Sequence, residues 1–254
     1  TVLSRGLGDV YKRQAGASIT DGTNSSTTAT TDVSAWTLAN ITFTSNEHDD
    51  TDVPNLTVTA TATETTGGDF KRSVEVIAVT VDAVADAPNL AVNNDVTTDE
   101  DVAVNLGISS SLVDSDGSET LTVSISNLPT GASITDGTNS STTATTDVST
   151  WTLANITFTS NEHDDTDVPN LTVTSTATEA DGGDFDQTIE VIAVTVDAVA
   201  DAPNLSVNNA VTTNEDTAVN LGISSSLVDS DGSETLTVSI SNLPAGASIT
   251  DGTN

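Results

Sequence analysis

The 254-residue chain has no cysteine and no methionine, only two tryptophans, and five Lys plus Arg against 38 Asp plus Glu, for a formal net charge of −33. Without cysteine there are no disulfides and no thiolate chemistry. So few cations leave no basic surface for phosphate, which excludes nucleic acid and anionic membranes as partners. No run approaches the roughly 18 apolar residues of a spanning helix, so membrane insertion by a helix is excluded. There is no nucleophile elbow, phosphate loop, CxxC or HExxH, and the acidic pairs have no recognisable cleft context. The reading is non-enzymatic. Few aromatics with much Thr, Ser, Asn and Gly would suit disorder, but Val, Ile and Leu alternate regularly and argue for strands.

What is present is a period. GASITDGTN begins at Gly16, Gly131 and Gly246, NEHDDTDVPNLTVT at Asn46 and Asn161, and VADAPNL at Val84 and Val199. Each spacing is 115 residues, and only nine of 71 positions differ between 15–85 and 130–200. Between 86–139 and 201–254 only five of 54 differ. Solenoid units are usually shorter, about 20–50 residues, so this period is the size of an independently folding domain. The expected organisation is a truncated repeat over 15–85, a complete one over 86–200 and a truncated one over 201–254. Residues 1–14 (TVLSRGLGDVYKRQ) match nothing in the repeat and look like one reading frame of a sequencing adapter. They lack the apolar core of a secretion signal.

Alternation with period two marks Leu121–Ile125, Leu171–Val173 and Ile189–Val196 most clearly. Seven strands, A to G, are expected at 89–94, 102–107, 119–126, 132–135, 150–159, 170–178 and 185–197. Short strands at this spacing predict an all-β chain of tandem antiparallel β-sandwich repeats.

The complete repeat carries 20 Asp plus Glu and no Lys or Arg. Two carboxylates 5 Å apart repel by roughly 3 kcal/mol at an effective dielectric near 20, so such a surface needs salt or bound cations to stay compact. A solubilising surface is one explanation. The acids are clustered, however, at Asp99–Asp101, at Asp114, Asp116 and Glu119, at Glu162, Asp164, Asp165 and Asp167, at Glu179, Asp181 and Asp184, and in the connection VDAVADAP. Strand alternation gathers these loops where one repeat meets the next. Hard oxygen ligands in that number suit Ca²⁺, which takes 6–8 oxygens in irregular geometry.

VDAVADAPNL, EDVAVNLGI and EDTAVNLGI, DSDGSETLTVSISNLPAGASI and TATEADGGDF together resemble the cadherin-like, immunoglobulin-like repeats of large bacterial type I-secreted (RTX-type) surface adhesins. The resemblance covers 15–254. It implies an extracellular, cell-surface stalk whose partners are neighbouring repeats of the same chain, with calcium at each junction. The ligands it implies are Glu100, Glu162, Asp164, Asp165, Asp197, Asp201, Asp229 and Asp231 at one junction. At the preceding one they are Glu47, Asp49, Asp50, Asp82, Asp86, Asp114, Asp116 and Glu179. Rival readings are a module binding glycan or protein, and an accessory β-sandwich of a secreted polysaccharide-degrading enzyme. Near-identity of the repeats favours the stalk, since spacing needs equal units while recognition needs one tuned face.

His48 and His163 have no Ser, Cys or second His nearby and are expected to be solvated loop residues. Trp36 and Trp151 are expected in the core. The Thr/Ser-rich tract DGTNSSTTATTDVST is read as polar strand and loop. The partial repeats 15–85 and 201–254 together contain one whole repeat, so two molecules are expected to pair head to tail through unpaired strand edges. Sedimentation should show concentration-dependent chains for residues 1–254 and a monomer for 86–200 alone. A monomeric 254-residue chain at high concentration rejects the pairing.

Overall fold

Branching at Cβ restricts χ1 and packs well on a pleated surface, so alternating Thr, Val and Ile favour extended backbone. The computed structural model describes residues 16–114, 117–229 and 231–253. It is nearly all β, with 39% of residues in strands. Among the described residues the helical segments are two short 3-10 turns, Leu38–Asn40 and Leu153–Asn155. Residues 1–14, taken above as foreign, and Asp116 lie outside the described residues.

The strands of the first partial repeat are β1 (Ser18–Thr20), β2 (Ser25–Ser26), β3 (Thr42–Thr44), β4 (Val53–Thr63) and β5 (Phe70–Val79). Residues 86–200 hold β6 (Asn89–Ala91), β7 (Asp95–Asp99), β8 (Val104–Asn105), β9 (Ser109–Ser111), β10 (Glu119–Ser126) and β11 (Ser133–Thr135). They continue with β12 (Ser140–Ser141), β13 (Thr145–Asp147), β14 (Thr157–Thr159), β15 (Val168–Glu179) and β16 (Phe185–Asp197). The last partial repeat holds β17 (Asn204–Ser206) and β18 (Ser224–Ser226).

Within 86–200 one sheet has the order β13-β10-β15-β16-β7, a second β12-β11-β14-β8, and β6 pairs with β9. Inner faces follow the period of two. Leu171, Val173 and Ala177 of β15, Val123 and Ile125 of β10, and Ile192, Val194 and Val196 of β16 are buried, as are Ile134 of β11 and Phe158 of β14.

Two expectations about the strands are corrected. The first strand, expected over 89–94, ends at Ala91 as β6, and a second strand, β7, begins at Asp95 in a different sheet. The Asn93 N–H donates to Leu106 O (3.0 Å), whereas Asn94 O accepts from the Ala193 N–H (2.7 Å). The chain therefore changes partners between these two residues, and β7 runs parallel to β16, with Val194 opposite Val96. Gly107 permits the crossing, because a Cβ there would lie 2.5 Å from the Asn93 side chain, and its φ is +64°. The strand expected over 150–159 is confined to β14, and 153–155 form a 3-10 turn. The cause is Asp136, whose carboxylate takes the Thr152 N–H (2.8 Å) together with those of Thr138 (2.9 Å) and Asn139 (2.7 Å). These bonds, led by that of Asn139, hold the Asp136 carboxyl well below the usual range. Asp21 repeats the arrangement with Thr23, Asn24 and Thr37. Trp36 and Trp151 are half-exposed, not core residues.

Near-identical sequence reaches opposite burial in different repeats. Val173 is fully buried, but its copy Val58 is 49% exposed; Ile125 is 1% exposed and its copy Ile240 45%. Burial here depends on which neighbouring strands are at hand.

Internal contacts define two compact units. One comprises residues up to Leu90 with Ser110–Val123 and Thr174–Ile189, the other Ala91–Ser109, Ser124–Val173 and Glu190 onward. The division cuts across the repeat period, and each unit contains the acids of one boundary.

Phe158 is fully buried and Phe43, its copy, is half-buried. Phe158→Ala should therefore cost about 3–5 kcal/mol, and Phe43→Ala clearly less. Denaturant unfolding of the two variants checks this; equal losses would contradict the burial described.

Candidate cation-binding clusters at the repeat boundaries

A connection that joins no sheet must find other acceptors for its N–H groups. In the second unit carboxylates do this for the segment after β16. The Val199 N–H donates to Glu100 Oε1 (2.5 Å) and the Asp201 N–H to Glu234 Oε1 (2.5 Å). Glu100 follows β7, and its own N–H donates to Asp197 O (3.0 Å). Asp101 beside it adopts a left-handed φ of 59°, which aspartate tolerates. Glu234 closes the second copy of DSDGSE. There Asp229 is buried and accepts from the Asp231 N–H (2.9 Å) and the Ser233 hydroxyl (2.9 Å). The connection is thus gripped by one glutamate from each side. The Oε2 atoms of both glutamates are buried without a hydrogen-bond partner.

His163 sits in the same cluster with a left-handed φ of 56°. Its Nδ1 lies 2.8 Å from Asp201 Oδ2, as an ion pair, and 3.4 Å from Asp101 Oδ2; Nε2 lies 3.6 Å from Glu162 Oε1. Burial pushes its pKa down, but the charges of Asp201, Asp101, Glu162 and Asp229 outweigh this and raise it. Asp231 is held below the ordinary carboxylate range, first by the Ser233 N–H and then by the Ser233 hydroxyl, with Asp229 and Asp165 also in reach.

The first unit repeats the device around 81–86. The Val81 N–H donates to Asp52 Oδ1 (2.9 Å), the Ala85 N–H to Asp184 Oδ2 (3.3 Å) and the Asp86 N–H to Glu119 Oε1 (2.8 Å). His48 Nδ1 hydrogen-bonds Asp86 Oδ2 at 2.5 Å, and the bond raises its pKa. Asp114, Glu119 and Glu179 are buried, and the Oε2 atoms of both glutamates lack hydrogen-bond partners. The pKa of Glu179 is pushed up, first by burial and then by the charges of Glu119, Asp50 and Asp114, against a hydrogen bond from Ser118. An open pocket alongside is lined by Asp50, Asp52, Asp82 and Asp181.

Among the residues expected as ligands, the first unit gathers Asp50, Asp86, Asp114 and Glu179 around Glu119, and Asp82 lines the pocket. Glu47 lies 3.7 Å from His48. The second unit gathers Glu100, Glu162, Asp165, Asp201, Asp229 and Asp231. Two expected ligands have local roles: Asp49 accepts the Thr51 N–H (3.1 Å) and Asp164 the Thr166 N–H (3.0 Å). Asp197 contributes its backbone carbonyl to the Glu100 N–H. Asp116 lies outside the described residues. Among the described residues no three His, Asp or Glu side chains form a ready-made metal cage. The donor set still fits a hard cation: all oxygens, four of them buried and unpartnered, with no Lys or Arg in 86–200.

Sequence reasoning counted Glu119 among the clustered acids but left it and its copy Glu234 out of the ligand set, and it did not foresee the ion pairs that the loop histidines make. The signal for Glu119 was its phase, since it shares the parity of Leu121, Val123 and Ile125 and so belongs to the inner face of β10. The histidines gave no such signal; their contacts cross from one repeat to the next. No family model, curated protein or solved structure matches the chain.

His163, expected to be a solvated loop residue, is paired with Asp201 at 2.8 Å. In calorimetry with chelator present, His163→Ala should lower the melting temperature. The effect of Asp201→Asn should be smaller in the His163→Ala background than in the parent chain. Strict additivity would show that the pair does not interact.

Proposed function

We propose that the chain is a stalk segment of a secreted bacterial surface adhesin, in which tandem immunoglobulin-like β-sandwiches extend a distant binding domain and Ca²⁺ stiffens their junctions. Strand order supports the sandwich. With β6 and β7 as A, β8 and β9 as B, and β10, β11, β14, β15 and β16 as C, D, E, F and G, the neighbours are C-F-G in one sheet and D-E-B in the other, with A beside B. This order, with β7 beside G, agrees with an immunoglobulin-type sandwich and supports that reading.

The observation that carries the functional reading is the grip on the connection: Glu100 and Glu234, one from each repeat, each spend one oxygen on a linker N–H and keep the other buried and unpaired. A linker held by uncompensated carboxylates is stiff only if their charge is met. Glu100, Glu162, Asp165, Asp201, Asp229 and Asp231 would hold the ion at this boundary, and Asp50, Asp82, Asp86, Asp114 and Glu179 at the preceding one. Bound Ca²⁺ supplies the positive charge that the repeat lacks.

The 254-residue chain should melt at higher temperature and scatter as a stiffer particle in millimolar Ca²⁺ than in chelator. At a hundredfold excess over Kd the gain is about 2.7 kcal/mol. Asp197→Ala with Asp201→Ala should remove the share of the gain that belongs to this boundary and leave that of the preceding one. Melting and scattering indifferent to Ca²⁺ would leave the acids as a solvated surface.

A further inference from the structure

Where repeats are nearly identical, the positions that differ carry information. Six of the nine differences between 15–85 and 130–200 fall in 65–74, at Thr65, Thr66, Lys71, Arg72, Ser73 and Val74. They span the turn between β4 and β5 and the start of β5; the corresponding turn joins β15 to β16. The change is one of charge. Over 64–74 two acids and two bases cancel, whereas 179–189 carries four acids and no base. Lys71 and Arg72 are the only Lys or Arg in 15–254, and they stand where the complete repeat has Asp186 and Gln187. Both are exposed, and among the described residues neither forms an ion pair. Arg72 lies instead over the ring of Phe70, 5.0 Å from its centroid. A guanidinium stacked in this way keeps its N–H edge free for a carboxylate.

These charges border an apolar stripe. Ile192, Val194 and Val196 of β16 are buried, so the alternate residues form its outer face. There Phe185, Ile189 and Val191 are 62%, 57% and 44% exposed. Their copies on β5, Phe70, Val74 and Val76, are 57%, 55% and 54% exposed. The neighbouring strand β15 turns Thr172, Thr174, Thr176 and Thr178 to the same side, and β10 beyond it turns out Thr120, Thr122 and Ser124. Three adjacent strands thus present an uncharged outer face in a repeat that carries 20 Asp plus Glu. A contiguous exposed apolar strip of this kind marks a contact site.

We infer that this face is a lateral interface between copies of the chain, with the outer stripe of β5 in one molecule laid against that of β16 in another. Charge selects both the occupant and the register. A chain of net charge −33 repels its own kind over most of its surface. The uncharged face is where two copies meet without setting acid against acid. Like stripe on like stripe would bring Asp186 to Asp186, or the Lys71–Arg72 pair to its own copy. β5 on β16 brings the two cations to Asp186 and joins apolar surface to apolar surface. The apolar area supplies affinity, and the opposed charges fix which strands meet. The contact uses different patches on the two molecules, so each keeps one stripe free for a further copy. It uses neither a bound cation nor the unpaired edges of the partial repeats.

The test is sedimentation of the full chain in chelator at one ionic strength, with circular dichroism to verify folding. Lys71→Asp with Arg72→Gln gives β5 the charges of β16, and Asp186→Lys with Gln187→Arg does the reverse. Each pair of changes should weaken self-association by at least about tenfold, although the first makes the chain more negative and the second less. All four changes together should restore it, because the charges are opposed again. Residues 186 and 187 lie in neither partial repeat, so a loss there does not come from end-to-end pairing. Association that merely follows net charge, weaker with the first pair and stronger with the second, would overturn the interface. So would association unchanged by either pair, which would leave the partial repeats as its source. Failure of the four changes to restore association would show that the cations meet other acids, and would overturn the pairing of β5 with β16. A parent chain that stays monomeric would overturn the interface outright.

Discussion

Negative charge without a counter-charge is the constraint around which this chain is arranged. In 86–200 every carboxylate must be solvated or met by something other than Lys or Arg. Backbone N–H groups meet several. Asp136 takes three of them and, in doing so, folds the segment after Trp151 into a turn. At the boundaries Glu100, Glu119 and Glu234 do the same for connections that have no strand partner. One interaction, a carboxylate accepting from the main chain, therefore serves both turn formation within a repeat and attachment between repeats. It is stronger than its neutral equivalent because the acceptor is ionised. The oxygens left over after these bonds concentrate unmet charge in a few buried places.

Near-identical repeats make an internal control. Val58 and Val173 share their local sequence, as do Ile125 and Ile240, yet one member of each pair is buried and the other is not. Local alternation decides that a segment can be a strand with one apolar face; only neighbouring strands decide whether that face is covered. β4 and β5 form a long hairpin in the first repeat with most of their residues exposed, whereas their copies β15 and β16 lie inside a five-stranded sheet.

The period of two made the inner faces of β10, β15 and β16 legible, because the same parity holds along each run. It failed where side chains redirect the backbone. In WTLANITF the apolar parity slips between Leu153 and Ile156, and the slip marks the 3-10 turn; its cause, Asp136, is distant in sequence. The change of sheet at Asn93–Asn94 was hidden because two short polar residues read as a strand end. Among the site residues, clustering in sequence pointed to the boundaries, and the structure brings most of those acids together within each unit. Clustering did not rank them. Asp49 and Asp164 in NEHDD each accept an N–H two residues onward, whereas Glu119, counted only among the clustered acids at the start of a strand, is buried. The left-handed backbone of both histidines, which turns each ring toward the connection, has no signature in composition.

The parallel pairing of β7 with β16 has a consequence under load. β7 lies near the start of the complete repeat and β16 at its end, and five residue pairs join them, from Ala193–Asp95 to Asp197–Asp99. Tension that draws the two ends of the repeat apart slides these parallel strands along each other. All the bonds between them are then strained together, in shear, instead of opening one after another as a zipper does. A repeat joined in this way resists stretching at its own termini, where force from a neighbour first arrives.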